Sequence, residues 1–305
     1  MRKTSAGSTF NAIPSKTVAT QHNAYCVPVS VIYAVLSTFS ISLSDFFASG
    51  VSKRERANEV SSTVLLAGVA VMAITTVFWS GHPTSLDQVH GAFAGLVNGL
   101  GILLLFLAYA RGSLRIAAPT AAVVMSSVPV LWDILVSGSS PSTTTSTGIV
   151  LGVVAIALSS YEGGHHVAGS SGLFLAFVAG LFFGATFILL SRIGNDAGGS
   201  PLLIQRIAAF LIAALVARST GPRMFPKTRE GFITSFVAGI FGIAAVVFFV
   251  LALRGGSLAV VSVAASQYAA VSVLLGVAIR GQRMRWWQGL GLGGSSLAVA
   301  LIAIG

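Results

Sequence analysis

Two short stretches decide how this chain is read: AYARGSL at residues 108–114 and ALRGGSL at residues 252–258. Each joins two long apolar runs, and a shift of 144 residues lays one on the other, matching Gly112, Ser113 and Leu114 to Gly256, Ser257 and Leu258. The same shift sets Gly50 on Gly194, Gly95 on Gly239 and Leu131 on Leu275. Near the end a three-residue adjustment aligns Gly148 and Gly152 with Gly289 and Gly293. One glycine match means little in a glycine-rich chain. A nearly constant offset across whole apolar runs is the mark of an internal repeat.

The unit that repeats is a set of membrane spans. Of 305 residues, 54% are hydrophobic and only 9% charged, with a mean hydropathy of +0.88. A soluble domain carries roughly 25% charged residues, so this chain could not cover a water-facing surface. A spanning helix needs about 20 mainly apolar residues. Five such runs occupy 26–49, 60–80, 91–110, 114–136 and the shorter 146–161; five more occupy 172–193, 201–219, 232–253, 257–279 and 286–304. The expected fold is an all-α membrane protein of ten transmembrane helices, with one five-helix repeat over 25–161 and a second over 172–305. Residues 1–24 are polar and lack the apolar core of a secretory signal, so they read as a disordered tail. An odd number of spans puts the second unit into the bilayer upside down relative to the first, an inverted repeat.

Charge placement agrees with that arrangement. Let side A be the face of the N-terminal tail and side B the opposite face. Side B receives Lys53, Arg54, Arg56, Arg111, Arg115, Arg218, Arg223, Lys227, Arg229, Arg280, Arg283 and Arg285; side A receives Arg2, Lys3, Lys16, Arg192 and Arg254. Both units thus send their cations to one face through non-equivalent loops. Basic loops stay in the cytoplasm, so side B reads as inside and both termini as outside. The net charge of +10 is accounted for by these loops and implies no nucleic acid.

Other functions find no support. One cysteine, Cys26, cannot form an intrachain disulfide, and no Cys/His spacing suggests a metal site. No nucleophile elbow or phosphate loop is present, so no catalytic residue, metal or cofactor is expected. What stands out instead is polarity inside apolar runs, where a charge costs about 2.5–3.5 kcal/mol on insertion scales. Asp45, Asp133 and Arg206 are the charged candidates for a substrate or coupling-ion pathway; Asn98, Gln205, Gln267 and Tyr268 are the uncharged ones. Asp133 and Arg206 fall at similar distances from side A, which would allow them to pair. Asn98 and Gln267 lie mid-span, the depth at which an inverted repeat holds its solute. Phe39, Tyr109 and Phe183 are further lining candidates. Glycines at four-residue spacing (Gly91/Gly95/Gly99, Gly180/Gly184, Gly148/Gly152, Gly289/Gly293) form small faces for close helix contact.

LSDF at 43–46, the basic pair Lys53-Arg54, AYARGSLRIAAP at 108–119, Gly148–Gly152 and ALRGGSLAVVSVA at 252–264 together resemble the drug/metabolite transporter superfamily, in its ten-helix form of two EamA-type repeats. The resemblance covers roughly residues 30–304. It implies a multi-pass protein of the cell membrane that moves small organic metabolites, amino acids or drugs, often outward and often coupled to protons. The partners it implies are a small organic solute, the lipid bilayer and protons as coupling ion, and a homodimer is compatible with it. The chain also departs from the pattern. A Gly-Glu pair usual after the fourth and ninth helices is replaced by SGSSP at 137–141 and RGQR at 280–283. A proline usual in the ninth helix is missing, the chain reading Gln267-Tyr268-Ala269, whereas Pro129 is present in the fourth. Family members keep both termini in the cytoplasm, against the charge count here. A degenerate, non-transporting scaffold or partner subunit is the alternative these departures raise; a polar cavity between the halves would separate the two readings.

Overall fold

A computed structural model describes residues 16–111, 114–137, 142–160, 170–280 and 286–304. Among them there are eleven α-helices and no strand: α1 Lys16–Val51, α2 Ala57–Phe78, α3 Ser85–Arg111, α4 Leu114–Ser137, α5 Thr143–Ser160, α6 Ser170–Leu190, α7 Ser200–Thr220, α8 Arg229–Leu253, α9 Leu258–Ser266, α10 Tyr268–Arg280 and α11 Trp286–Ile304. Helix α1 starts at Lys16, so residues 16–24 of the expected tail are helical, while 1–15 lie outside the described residues. Eight segments are long and apolar enough to cross a membrane, the last of them running from Val261 to Ile279 through α9 and α10. Helices α5 and α11 are not among the eight. The protein is a multi-pass membrane protein.

Its interior is built from small residues. Ala48, Ala94, Ala118, Ala179, Ala209 and Ala252 are fully buried, whereas Val77, Phe78, Leu135 and Leu215 stand 67–85% exposed. In lipid, large apolar side chains gain nothing by turning inward, and close helix packing supplies the attraction instead. Gly95 of α3 lies so near α7 that a Cβ there would overlap the Gln205 carbonyl oxygen; Gly239 of α8 meets the Val64 carbonyl of α2 in the same way. Gly180 and Gly184 of α6 admit Val124 and Val128 of α4. Gly293 is different: among the described residues nothing lies within 4 Å of a Cβ there.

The main helix pairs are α1 with α8, α3 with α6, α2 with α7, α2 with α8, α3 with α7, α4 with α6, and α5 with α11. Helix α1 also packs against α9 and α10, and α4 against both.

The span formed by α9 and α10 is broken at Gln267, at the place where the resemblance led one to expect a proline. Breaking a helix in lipid frees carbonyls that must find donors. Hydroxyls of α1 reach carbonyls on both sides of the break: Thr38 donates to the Ala264 carbonyl at 2.8 Å, which also accepts from the Gln267 N–H at 3.2 Å, and Ser42 to the Tyr268 carbonyl at 3.1 Å. The same hydroxyls also bond their own helix, Thr38 to Ala34 and Ser42 to Thr38. The break is therefore stabilised from a neighbouring helix.

Each face is tied by its loops. On side B, the Glu55 carboxylate accepts from the Thr228 hydroxyl at 2.6 Å and from the backbone N–H of Thr228 and of Lys227. Thr228 is the N-cap of α8, its hydroxyl accepting from the Gly231 N–H. Asn58 adds a bond to the Thr220 hydroxyl at 2.8 Å. On side A, Asp87 closes a capping box on Thr84 and accepts from the Gly194 N–H at 2.7 Å. Beside it, His82 N–H donates to the Asp196 carbonyl and Gly199 N–H to the Trp79 carbonyl.

Candidate functional site

A cavity of about 80 Å³ lies where α1, α3, α6, α7, α8 and α10 converge. One water needs ~10–15 Å³ on this measure, so several fit. The walls are mainly apolar: Ile41, Ile102 and Phe106 from the first half of the chain, Phe183, Phe187 and Phe249 from the second. Into them project a few polar groups, the composition of a solute pocket.

Asp45 and Asn98 come to this cavity from α1 and α3, and Arg206 and Tyr268 from α7 and α10. All four are buried, with Asp45 7%, Asn98 6%, Arg206 3% and Tyr268 2% exposed. The Tyr109 hydroxyl donates to Asp45 Oδ2 at 2.7 Å. Stacked on Phe106, the Tyr109 ring is held in place and is itself fully buried. Arg206 Nη1 donates to Asn98 Oδ1 at 3.4 Å and Nη2 to the Gly242 carbonyl at 3.3 Å; its buried Nε has no partner among the described residues. Charge-assisted bonds of this kind normally run at ~2.7–2.9 Å, so the guanidinium is loosely held. Asp45 and Arg206 share the cavity without joining: among the described residues the one ion pair is the exposed Arg54–Glu230 contact at 3.9 Å on side B.

The remaining candidates sit elsewhere. Gln205 is fully buried beside the α3–α7 contact with both amide atoms unpartnered, away from the cavity lining. Gln267 turns to α11, donating to the Ser296 carbonyl at 3.2 Å in a small gap with Ala122 and Leu292. The side chain of Asp133 lies outside the described residues, and so does its pairing with Arg206; its helix α4 packs on α6, α9 and α10, whereas α7 packs on α2 and α3. Of the aromatic candidates, Phe183 lines the cavity and Tyr109 holds Asp45, while Phe39 is 54% exposed on the outer surface.

Sequence reasoning missed the cavity's end toward side A. Phe187 and Phe249 stack there at 4.0 Å between centroids with their planes 16° apart. Leu190, 1% exposed, borders both the cavity and a recess under the α6–α7 loop that Asn195 and Arg254 line. Nothing in a phenylalanine's neighbours along the chain signals such a stack, because its partner is on another helix.

Residues 170–304 match the EamA-like transporter family. This EamA-like stretch runs from α6 to α11 and supplies Arg206, Tyr268, Phe187 and Phe249; Asp45, Asn98 and Tyr109 come from helices that precede it. No curated protein sequence matches the chain. Among solved structures, a crystal structure at 15% identity superposes with a TM-score of 0.64, covering 91% of this chain and 96% of its own. At that identity the likeness is one of fold. It extends over helices on both sides of residue 170, so the fold shared with the solved structure is that of nearly the whole chain.

Proposed function

We propose that this protein is a secondary transporter of a small organic solute in the cell membrane. It works by alternating access of two inverted five-helix halves, α1–α5 and α6–α11, with α9 and α10 together forming the ninth of ten spans. The observation that carries the reading is the cavity, whose polar groups come from both halves: Ser37, Ser44, Asp45 and Asn98 from one, Thr186, Arg206 and Tyr268 from the other.

Helix packing supports the inversion. Exchanging each helix for its counterpart turns the α1–α8 pair into α6–α3 and the α2–α8 pair into α7–α3, both of which are main contacts; α2–α7 and α5–α11 map onto themselves. Gly95 and Gly239, matched by the 144-residue shift, each accept a carbonyl from the helix across the exchange. The face ties exchange too: the α1–α2 loop bound to the start of α8 on side B corresponds to the α6–α7 loop bound to the start of α3 on side A. Two equivalent ties on opposite faces are what a rocking mechanism requires, one released while the other holds.

At about 80 Å³ the cavity is below the ~300–1,000 Å³ of drug-sized ligand sites. A solute enters by a shift of helices, and the stacked Phe187–Phe249 pair with Leu190 stands between the cavity and the recess on side A. We take the direction as outward and the coupling ion as a proton carried on Asp45, in reach of the Tyr109 hydroxyl. A scaffold would have no use for polar groups converging on a cavity.

Reconstitution in vesicles tests this: solute flux should appear in both orientations of gradient, and an imposed proton gradient should drive accumulation against the solute gradient. Solute flux no greater than in protein-free vesicles, across a panel of small organic cations, anions and neutral compounds, would sink it.

A further inference from the structure

The loosely held guanidinium has a consequence for what the cavity takes. We infer that Arg206 is the receptor for a carboxylate, and that the solute is a small monocarboxylate with a compact apolar body; this rests on the transport reading for its biological meaning but not for its test. A guanidinium carries five N–H donors. Arg206 uses two of its nitrogens on neutral acceptors at 3.3 and 3.4 Å, and its Nε, buried, has none among the described residues. A charge in this environment costs several kcal/mol unless paired and hydrogen-bonded, so the fork is kept for a partner that arrives from outside the chain.

The chemistry of that partner follows from the neighbours. A planar fork of N–H groups matches the two oxygens of a carboxylate. With the coupling proton on Asp45, a monocarboxylate balances the Arg206 charge, whereas a phosphate dianion would leave one negative charge uncompensated in a lipid-surrounded cavity. A cationic solute would need Asp45, but one oxygen of that carboxylate is already taken by the Tyr109 hydroxyl at 2.7 Å. The rest of the solute meets Ile102, Phe183, Phe187 and Phe249, a wall suited to a ring or branched chain. The Asn98 amide, holding Nη1 from behind, acts as a positioning residue.

Equilibrium binding to purified, detergent-solubilised protein decides the matter, with benzoate as probe and benzamide and benzylamine as the neutral and cationic comparisons. Benzoate should bind at least about tenfold more tightly than either. Arg206→Gln should remove that preference, and Arg206→Lys should keep part of it. Because Arg206→Gln leaves a hole where a long side chain packed, Asn98→Asp provides a second route: an internal carboxylate beside Nη1 should raise the melting temperature and abolish benzoate binding. Equal binding of benzylamine and benzoate, an unchanged benzoate affinity in folded Arg206→Gln, or no benzoate binding at all would overturn the assignment. Benzoate binding without flux would leave the assignment standing and count against transport alone; flux without benzoate binding would do the reverse.

Discussion

Asp45 shows what a single residue in this chain can and cannot announce. Its charge within an apolar run marks it as a candidate by cost alone. Counting along the helix places it near side B, a few residues before Lys53 and Arg54. The structure instead buries it against the Tyr109 hydroxyl at 2.7 Å, on the wall of the cavity. Removing that hydroxyl should leave a buried carboxylate short of a donor, at a cost of about 1–3 kcal/mol. Tyr109→Phe is thus expected to lower the melting temperature in detergent, and Asp45→Asn to relieve most of that loss when the two are combined. Additive losses in the double variant would show that the two side chains are not coupled. Gln267 teaches the converse. Mid-span depth made it a lining candidate, yet its amide faces the Ser296 carbonyl of α11.

At the scale of helices, small residues and hydroxyls decide the contacts. Gly95 and Gly293 look alike in sequence, both in four-residue glycine patterns. Gly95→Ala would drive a methyl into the Gln205 carbonyl and should reduce thermal stability sharply, by about 1–3 kcal/mol or more as overpacking does; Gly293→Ala, with open space around it, should be nearly silent. Melting curves of the two variants side by side check this. The broken α9–α10 span makes a second expectation. Thr38→Val keeps the shape of the side chain and removes the donor to the Ala264 carbonyl. The loss should be about 0.6–1.7 kcal/mol, the measured range for hydrogen bonds between membrane helices. The glycine and serine content that permits these contacts is visible in the sequence; which glycine faces a neighbour is not, since the pattern fixes a face without saying what lies opposite.

For the whole molecule, the two face ties set the terms of any motion. In the first half Asp87 closes the capping box on Thr84 from its own helix, whereas at the corresponding position of α8 stands Gly231, and Glu55 from the α1–α2 loop takes the box's place. The Thr228 hydroxyl above all, with the backbone N–H groups of Thr228 and Lys227 and the charge of Lys227, holds the Glu55 carboxyl below the usual glutamate range. A depressed carboxylate stabilises the tied state above its unfolded value and loses that contribution as pH falls through the folded one. The side-B tie should therefore loosen in acid, below the ordinary glutamate range. Amide exchange at Thr228 and Gly231 should accelerate there, and Glu55→Gln should abolish the pH dependence. Fixing the same face covalently tests the cycle. In a Cys26→Ser background, Asn58→Cys with Thr220→Cys replaces a 2.8 Å side-chain bond by a disulfide, and flux should stop under oxidant and return with reductant. Continued flux in fully cross-linked protein would mean that side B need not open. Reporters fused to each terminus are expected outside, from the concentration of Lys and Arg on side B.

Apart from the starts of α1 and α3, ten and six residues earlier than the apolar runs, and the break at Gln267, the linear chain carries the membrane, the helix boundaries to within a few residues and the small set of polar groups inside apolar runs. These depend on composition and on position along a helix that rises about 1.5 Å per residue, quantities a linear string contains. Only the tertiary structure decided that Asp45, Asn98, Arg206 and Tyr268 share one cavity while Gln205 and Gln267 turn away. It also decided that Phe187 meets Phe249 and that Thr38 serves the carbonyl of another helix. Depth is written in the sequence; the rotation of each helix about its axis, and the neighbour it thereby faces, is settled only when all the helices pack together.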